Sequence, residues 1–166
     1  MESNYEDIGS LVFTLVCLAG LSYLFYSSWK KKNLKLNSFA QGLNAKPIDS
    51  GVIGKYGSFE YILHIEEGHP GGAASGPTRA GYPTALRIIV EKSGINKFCL
   101  RSNDKLETKD KLETAAQTLF DYGFKEIDYD GITLDIKLYP YSLNSPVSAK
   151  YIKNILPTVA QIVEEL

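Results

Sequence analysis

Cysteine and histidine are scarce in this chain of 166 residues, with two of each. Cys17 lies inside an apolar run and Cys99 in a strand-like segment, so the two are not placed to pair, and no C-x-x-C occurs. There is no disulfide framework, a pattern that fits a reducing compartment. Two histidines and two cysteines are too few for a Cys/His zinc site, and H-E-x-x-H is missing, so no metal and no cofactor is expected. The chain has no G-K-[ST] of a Walker loop and no G-x-S-x-G of a serine hydrolase. An excess of basic charge is lacking too. The formal net charge is −1, and 14 basic residues face 16 acidic ones from Leu36 onward. A slightly acidic domain has no electrostatic footprint for nucleic acid, so none is expected as a partner.

One further absence has a larger consequence. Ile8–Trp29 contains no charged side chain. An α-helix of that length spans roughly 33 Å, about the hydrocarbon thickness of a bilayer. A cleavable signal peptide has a basic start, a shorter apolar core and a small-residue cleavage site. Here the start, Met1–Asp7, is acidic, and the run ends in Phe25-Tyr26 and Trp29. Residues 8–29 therefore read as a permanent transmembrane helix in contact with lipid. Lys30, Lys31, Lys32 and Lys35 follow it, and no basic residue precedes it. The positive-inside rule then predicts a single pass, with residues 1–7 outside and the C-terminal domain in the cytoplasm. Tyr23, Tyr26 and Trp29 cluster at the same end, where an aromatic belt sits. Lys30, Lys31 and Lys32 flank the anchor, and their default role is to stop translocation; attraction to anionic lipid is the alternative. Ser10, Thr14, Cys17 and Gly20 make no clean G-x-x-x-G.

The remainder has the composition of an ordinary folded domain, within a chain that is 44% hydrophobic and 22% charged. Residues 30–49 read as a basic juxtamembrane segment. Within it Leu36, Phe39, Ala40 and Leu43 predict a short amphipathic helix over 33–45, ended by Pro47. From residue 50 to 166 the pattern predicts one α+β domain. Phe59, Tyr61, Leu63 and Ile65 alternate with Glu60, Ile62, His64 and Glu66, the period-two signature of a half-buried strand. Residues 84–92 form another strand, and Ser93-Gly94 predicts a turn that brings 95–101 back as its partner. Asp110-Lys-Leu-Glu is a capping-box pattern that opens a helix over 111–122, with Gly123 as the stop. Asp130-Gly131 predicts a two-residue hairpin pairing Tyr129 with Ile132 and Ile127 with Leu134. Ser145-Pro146 starts the last helix, which Pro157 should kink or split. The expected fold is α+β: an N-terminal transmembrane helix, then a mostly antiparallel sheet of about six strands packed by two helices.

Chemistry-bearing residues concentrate in one long connection, residues 68–83, which has five glycines with Ser75, Thr78, Arg79 and His69. It does not open a helix in G-x-G-x-x-G form, so it is no dinucleotide fingerprint. A glycine-rich backbone with an arginine suits an anion. Arg79, Gly72, Ser75 and the neighbouring strand residue His64 are accordingly the ligand-binding candidates, although a flexible hairpin extension and a solvated His64 explain the same residues. Tyrosine is abundant, with 11 copies, and half-buried strands account for Tyr56, Tyr61, Tyr82, Tyr139 and Tyr141 as well as a binding surface does. No catalytic constellation is visible. The expected function is a non-enzymatic, membrane-anchored cytoplasmic domain that holds or assembles a protein partner. The alternatives are an anion- or small-molecule-sensing domain closed by loop 68–83, and a hydrolase using His64 or His69.

Overall fold

The structure is a computed structural model and describes residues 3–68, 84–104, 106 and 110–166. It divides into two compact units, Met1–Lys35 and Leu36–Leu166. A single helix, α1 (Ser3–Leu43), begins in the first and ends in the second. Among the described residues it is the one helix long and apolar enough to cross a membrane. Every side chain from Ser10 to Tyr26 is exposed, which is the state an apolar span needs if its solvent is lipid. The helix expected separately over 33–45 is the last part of α1. No proline or glycine lies between Trp29 and Phe39 to interrupt it. Asn44, at φ 54°, ends it ahead of Pro47 in a left-handed cap, and Ala45 N donates to Ala40 O at 2.8 Å.

The second unit is α+β. Its strands are β1 (Lys46–Ile48), β2 (Gly51–Tyr56), β3 (Phe59–Glu66), β4 (Ala85–Glu91), β5 (Phe98–Arg101), β6 (Glu126–Tyr129) and β7 (Thr133–Leu138). Helix α2 (Lys111–Asp121) joins β5 to β6, and α3 (Ala149–Glu164) closes the chain. Among the described residues the seven strands form one sheet in the order β1-β2-β3-β4-β7-β6-β5, antiparallel throughout. One strand beyond the expected six is β1, three residues with Pro47 at their centre. A strand so short escapes sequence patterning, and an edge is where proline is tolerated.

Period-two alternation explains why one sheet face is buried. Val52, Leu63, Ile88, Ile136 and Ile127 stand side by side across five strands, each 0% exposed. They share one core with Leu36, Phe39 and Ala40 of α1, with Ala115, Ala116, Leu119 and Phe120 of α2, and with the Ile152–Val163 stripe of α3. Tyr61, Tyr129 and Tyr141 are buried in it, so three of the tyrosines serve packing. Tyr82 lies outside the described residues.

Helix ends follow local chemistry. Asp110 accepts from Glu113 N at 2.7 Å and caps α2. At the other end Gly123 takes φ 96°. Its N–H bonds Phe120 O while Phe124 N bonds Leu119 O, the paired bonds of a Schellman stop. For α3 the expected Ser145 cap is corrected to Ser148, which accepts from Tyr151 N at 3.4 Å. Ser145 instead accepts from Val147 N, and Val147 is buried before the helix begins. Pro157 does not split α3. It sits on the exposed side, and the carbonyl it frees belongs to exposed Lys153, within reach of water.

Two strand pairings differ from the sequence expectation. β5 does not return beside β4. It pairs with β6 at the far edge, and β4 pairs with β7. The β4–β5 connection runs past the β6–β7 turn, tied to it by Lys92 N to Ile132 O at 2.8 Å and Gly94 N to Gly131 O at 3.1 Å. The β6–β7 register is shifted by two residues, to Tyr129↔Leu134 and Ile127↔Ile136. Asp130 causes the shift: its carboxylate accepts from both Ile132 N and Thr133 N, and Gly131 takes φ 94°. A slip of two keeps every side chain on its expected face, but it leaves Ile132 in the loop, 64% exposed.

The last turn of α1 meets the first turn of α3 at Gly42. A Cβ there would lie 2.2 Å from Ala149 Cβ, closer than real contacts allow. Gly42→Ala should therefore destabilise the domain by about 1–3 kcal/mol despite alanine's better helix propensity. Adding Ala149→Gly should restore most of the loss. Thermal unfolding of the full chain in detergent, followed by near-UV circular dichroism, reads both outcomes.

Candidate functional site: the charged face of the sheet

The same alternation that fills the core sends the intervening residues to the other face. Across the register, His64, Arg87, Lys137, Glu126 and Arg101 form one row over five strands, with Asp135 in the next row. Their side chains connect. Arg87 donates to Asp135 twice, Nε to Oδ1 at 3.1 Å and Nη2 to Oδ2 at 2.5 Å, and its Nη1 reaches Glu66 Oε2 at 3.2 Å. Lys137 Nζ lies 2.6 Å from Glu126 Oε1 and 3.6 Å from Asp135 Oδ2. Arg101 Nε lies 3.4 Å from Glu126 Oε2. The chain Glu66–Arg87–Asp135–Lys137–Glu126–Arg101 thus crosses β3, β4, β7, β6 and β5 with three charges of each sign.

Burial makes this more than a solvated rim. Asp135 is 8% exposed although it faces away from the core, because the flanking cations cover it. The hydrogen bond to Asp135 raises the Arg87 pKa, outweighing burial. Burial alone would lower the Lys137 pKa, but the Glu126 hydrogen bond and the charges of Asp135 and Glu126 overcome it and the net direction is up. Glu126 is held below the usual carboxylate range, first by its hydrogen bond to Lys137, against the opposing effect of burial. Arg87, Lys137 and Glu126 therefore keep their charges at neutral pH. Within the network each cation is engaged by a carboxylate, so an incoming anion must compete with Asp135 or Glu126. The arrangement is suited to locking strand register, and weakly suited to gripping a ligand.

Of the ligand-binding candidates, the structure places His64 on β3, half-buried, opposite Arg87 in the register. Arg79, Gly72 and Ser75 lie outside the described residues, as does His69. Gly68 N donates to Thr84 Oγ1 at 3.1 Å, which ties together the two ends of that connection. Lys30 and Lys31 are exposed on α1 and Lys32 is half-buried. Among the described residues no group of three or more His, Cys, Asp or Glu is placed to hold a metal ion. An open groove of about 560 Å³ lies between the start of α2 and the end of α3, lined by Asp110, Lys111, Thr114, Gln161, Glu164 and Glu165. Asp110 is engaged as the helix cap there, and Lys111 Nζ lies 3.8 Å from Glu165 Oε1. Sequence reasoning missed both the network and the groove. The polar half of each strand was visible, but which polar residues meet depends on the strand order.

Comparison of the chain with protein-family models, with curated proteins and with solved structures finds no match.

Because the folded pKa of Glu126 lies below its unfolded value of about 4.3, its contribution to stability is complete above that pH and is lost as pH falls through the folded pKa. Acid titration of thermal stability should show a decline starting near pH 4 to 5. Glu126→Gln should lower stability at neutral pH and flatten that decline. An unchanged acid slope in the variant would show that Glu126 is not the group being read.

Proposed function

We propose that the chain is a membrane-anchored interaction domain without catalytic function, held by residues 8–29 as a single pass, with the C-terminal domain in the cytoplasm. The observation that carries the reading is α1: a long apolar stretch, exposed from Ser10 to Tyr26, acidic before it and lysine-rich after it. Asp7 and Lys30-Lys31-Lys32 supply the orientation through the positive-inside rule.

A docking role for the domain is supported at one end of the sheet. Ile95 is 98% and Ile132 64% exposed, on two turns that are hydrogen-bonded to each other through Lys92, Gly94, Gly131 and Ile132. Single exposed apolar residues are ordinary. Two on backbone-linked turns make a small apolar tip of the kind protein partners cover. The charge network supports the non-catalytic half of the reading, because its members are committed to one another.

Orientation is tested with Cys99, which is exposed. In a Cys17→Ser background a membrane-impermeant maleimide should label Cys99 only after cells are permeabilised. Labelling of intact cells would overturn the cytoplasmic placement. Docking is tested by crosslinking and affinity recovery of the full chain from detergent extracts. A specific partner should be recovered, and Ile95→Asp with Ile132→Asp should reduce its yield at least tenfold. Repeated recovery of no specific partner would overturn the interaction reading.

A further inference from the structure

The lysines that follow the membrane span have a property beyond setting topology. Between Asp7 and Asp49 the sequence contains no acidic residue, while Lys30, Lys31, Lys32, Lys35 and Lys46 all fall within that interval. Helical neighbours three or four positions away, which commonly neutralise surface lysines, are therefore never carboxylates for Lys30 and Lys31. Lys30 and Lys31 are exposed, and Lys32 and Lys35 half-buried.

Position along the helix matters as much as charge. Tyr23, Tyr26 and Trp29 recur every three residues and are all exposed, so they lie along one stripe of α1. The rings of Tyr26 and Trp29 pair at 6.2 Å between centroids. Aromatic side chains of this kind settle at the boundary between acyl chains and headgroups. Lys30 and Lys31 begin about 1.5–3 Å farther along the axis, and Lys35 about 9 Å farther. Their flexible stems bring the ammonium groups to the depth of the lipid phosphates.

We propose that Lys30 and Lys31, with Lys32 and Lys35 behind them, form a collar that binds the headgroup phosphates of anionic phospholipids in the leaflet that Trp29 contacts. The proposal rests on the membrane-spanning reading above and adds a lipid preference to it. A topological signal alone would leave the mature protein indifferent to the lipid beside it. The collar instead enriches anionic lipid around the anchor, through a salt-sensitive interaction.

Trp29 is the single tryptophan of the chain and is adjacent to Lys30, so it reports on the lipids at this place. The purified full chain is reconstituted into phosphatidylcholine vesicles with phosphatidylglycerol as minority component. Energy transfer from Trp29 is then measured to dansyl-labelled phosphatidylglycerol and, separately, to dansyl-labelled phosphatidylcholine at equal mole fraction. Transfer to both labels reports that Trp29 sits at the bilayer, whichever way the chain inserts; no transfer to either would overturn the membrane-spanning reading itself. With transfer established, the expected result is an excess for phosphatidylglycerol. That excess should largely vanish at about 0.5 M salt. It should fall by up to about fivefold for each lysine replaced in Lys30→Gln/Lys31→Gln. It should persist in Lys30→Arg/Lys31→Arg, which keeps the charge. Equal transfer to the two lipids at low salt, or an excess that survives the glutamine substitutions, would overturn the proposal.

Discussion

One-sided burial of an antiparallel sheet is the constraint on which the domain depends. Because side chains alternate between faces, committing Val52, Leu63, Ile88, Ile136 and Ile127 to the core commits Ile53, Ile62, Arg87, Asp135, Lys137 and Glu126 to the other side. The helices then have a single surface to cover, and α2, α3 and the end of α1 contribute to the same core. Five adjacent strands each place an acidic or basic side chain on the opposite face. Within this frame, pairing those charges costs little, since their spacing is already set by the hydrogen-bond ladder.

The charge ladder and the core thus reinforce one register from two sides. A slip of one residue would turn the apolar rows outward and at the same time separate Arg87 from Asp135 and Lys137 from Glu126. The bidentate Arg87–Asp135 contact is the most demanding of these geometrically, as two parallel bonds require the guanidinium and carboxylate to be coplanar. Its partial burial removes competing water and gives the contact more weight than a surface pair has. Such a face favours precision of assembly.

What was legible in the sequence was local. Alternation in Phe59–Glu66, the Asp110 cap, the Gly123 stop and the uncharged run of Ile8–Trp29 are each decided by residues a few positions apart, and the α+β fold follows from them. What was not legible was non-local. Arg87 and Asp135 are 48 residues apart and Arg87 and Glu66 are 21 apart, so no window of sequence holds the pair. The displaced partner of β4 and the two-residue hairpin shift show competition between local signals. Asp130 had a stronger claim on the backbone of Ile132 and Thr133 than the two-residue turn did. For the ligand-binding candidates the sequence pointed to composition, and of these His64 alone falls among the described residues, on a strand face explained by alternation.

The strand order also has a temporal side. In the sheet, β5 stands beyond β6 and β7, yet it precedes both in the chain. As the polypeptide is made, β1 to β4 find their neighbours in sequence, each by a turn or a single connection. β5 must wait, with Phe98 and Leu100 unsheltered, until residues 126–138 insert between it and β4 and supply both missing edges at once. The hairpin β6–β7 is therefore the keystone of assembly: a chain stopped short of it presents two open strand edges, and a completed chain has them joined across the centre of the sheet.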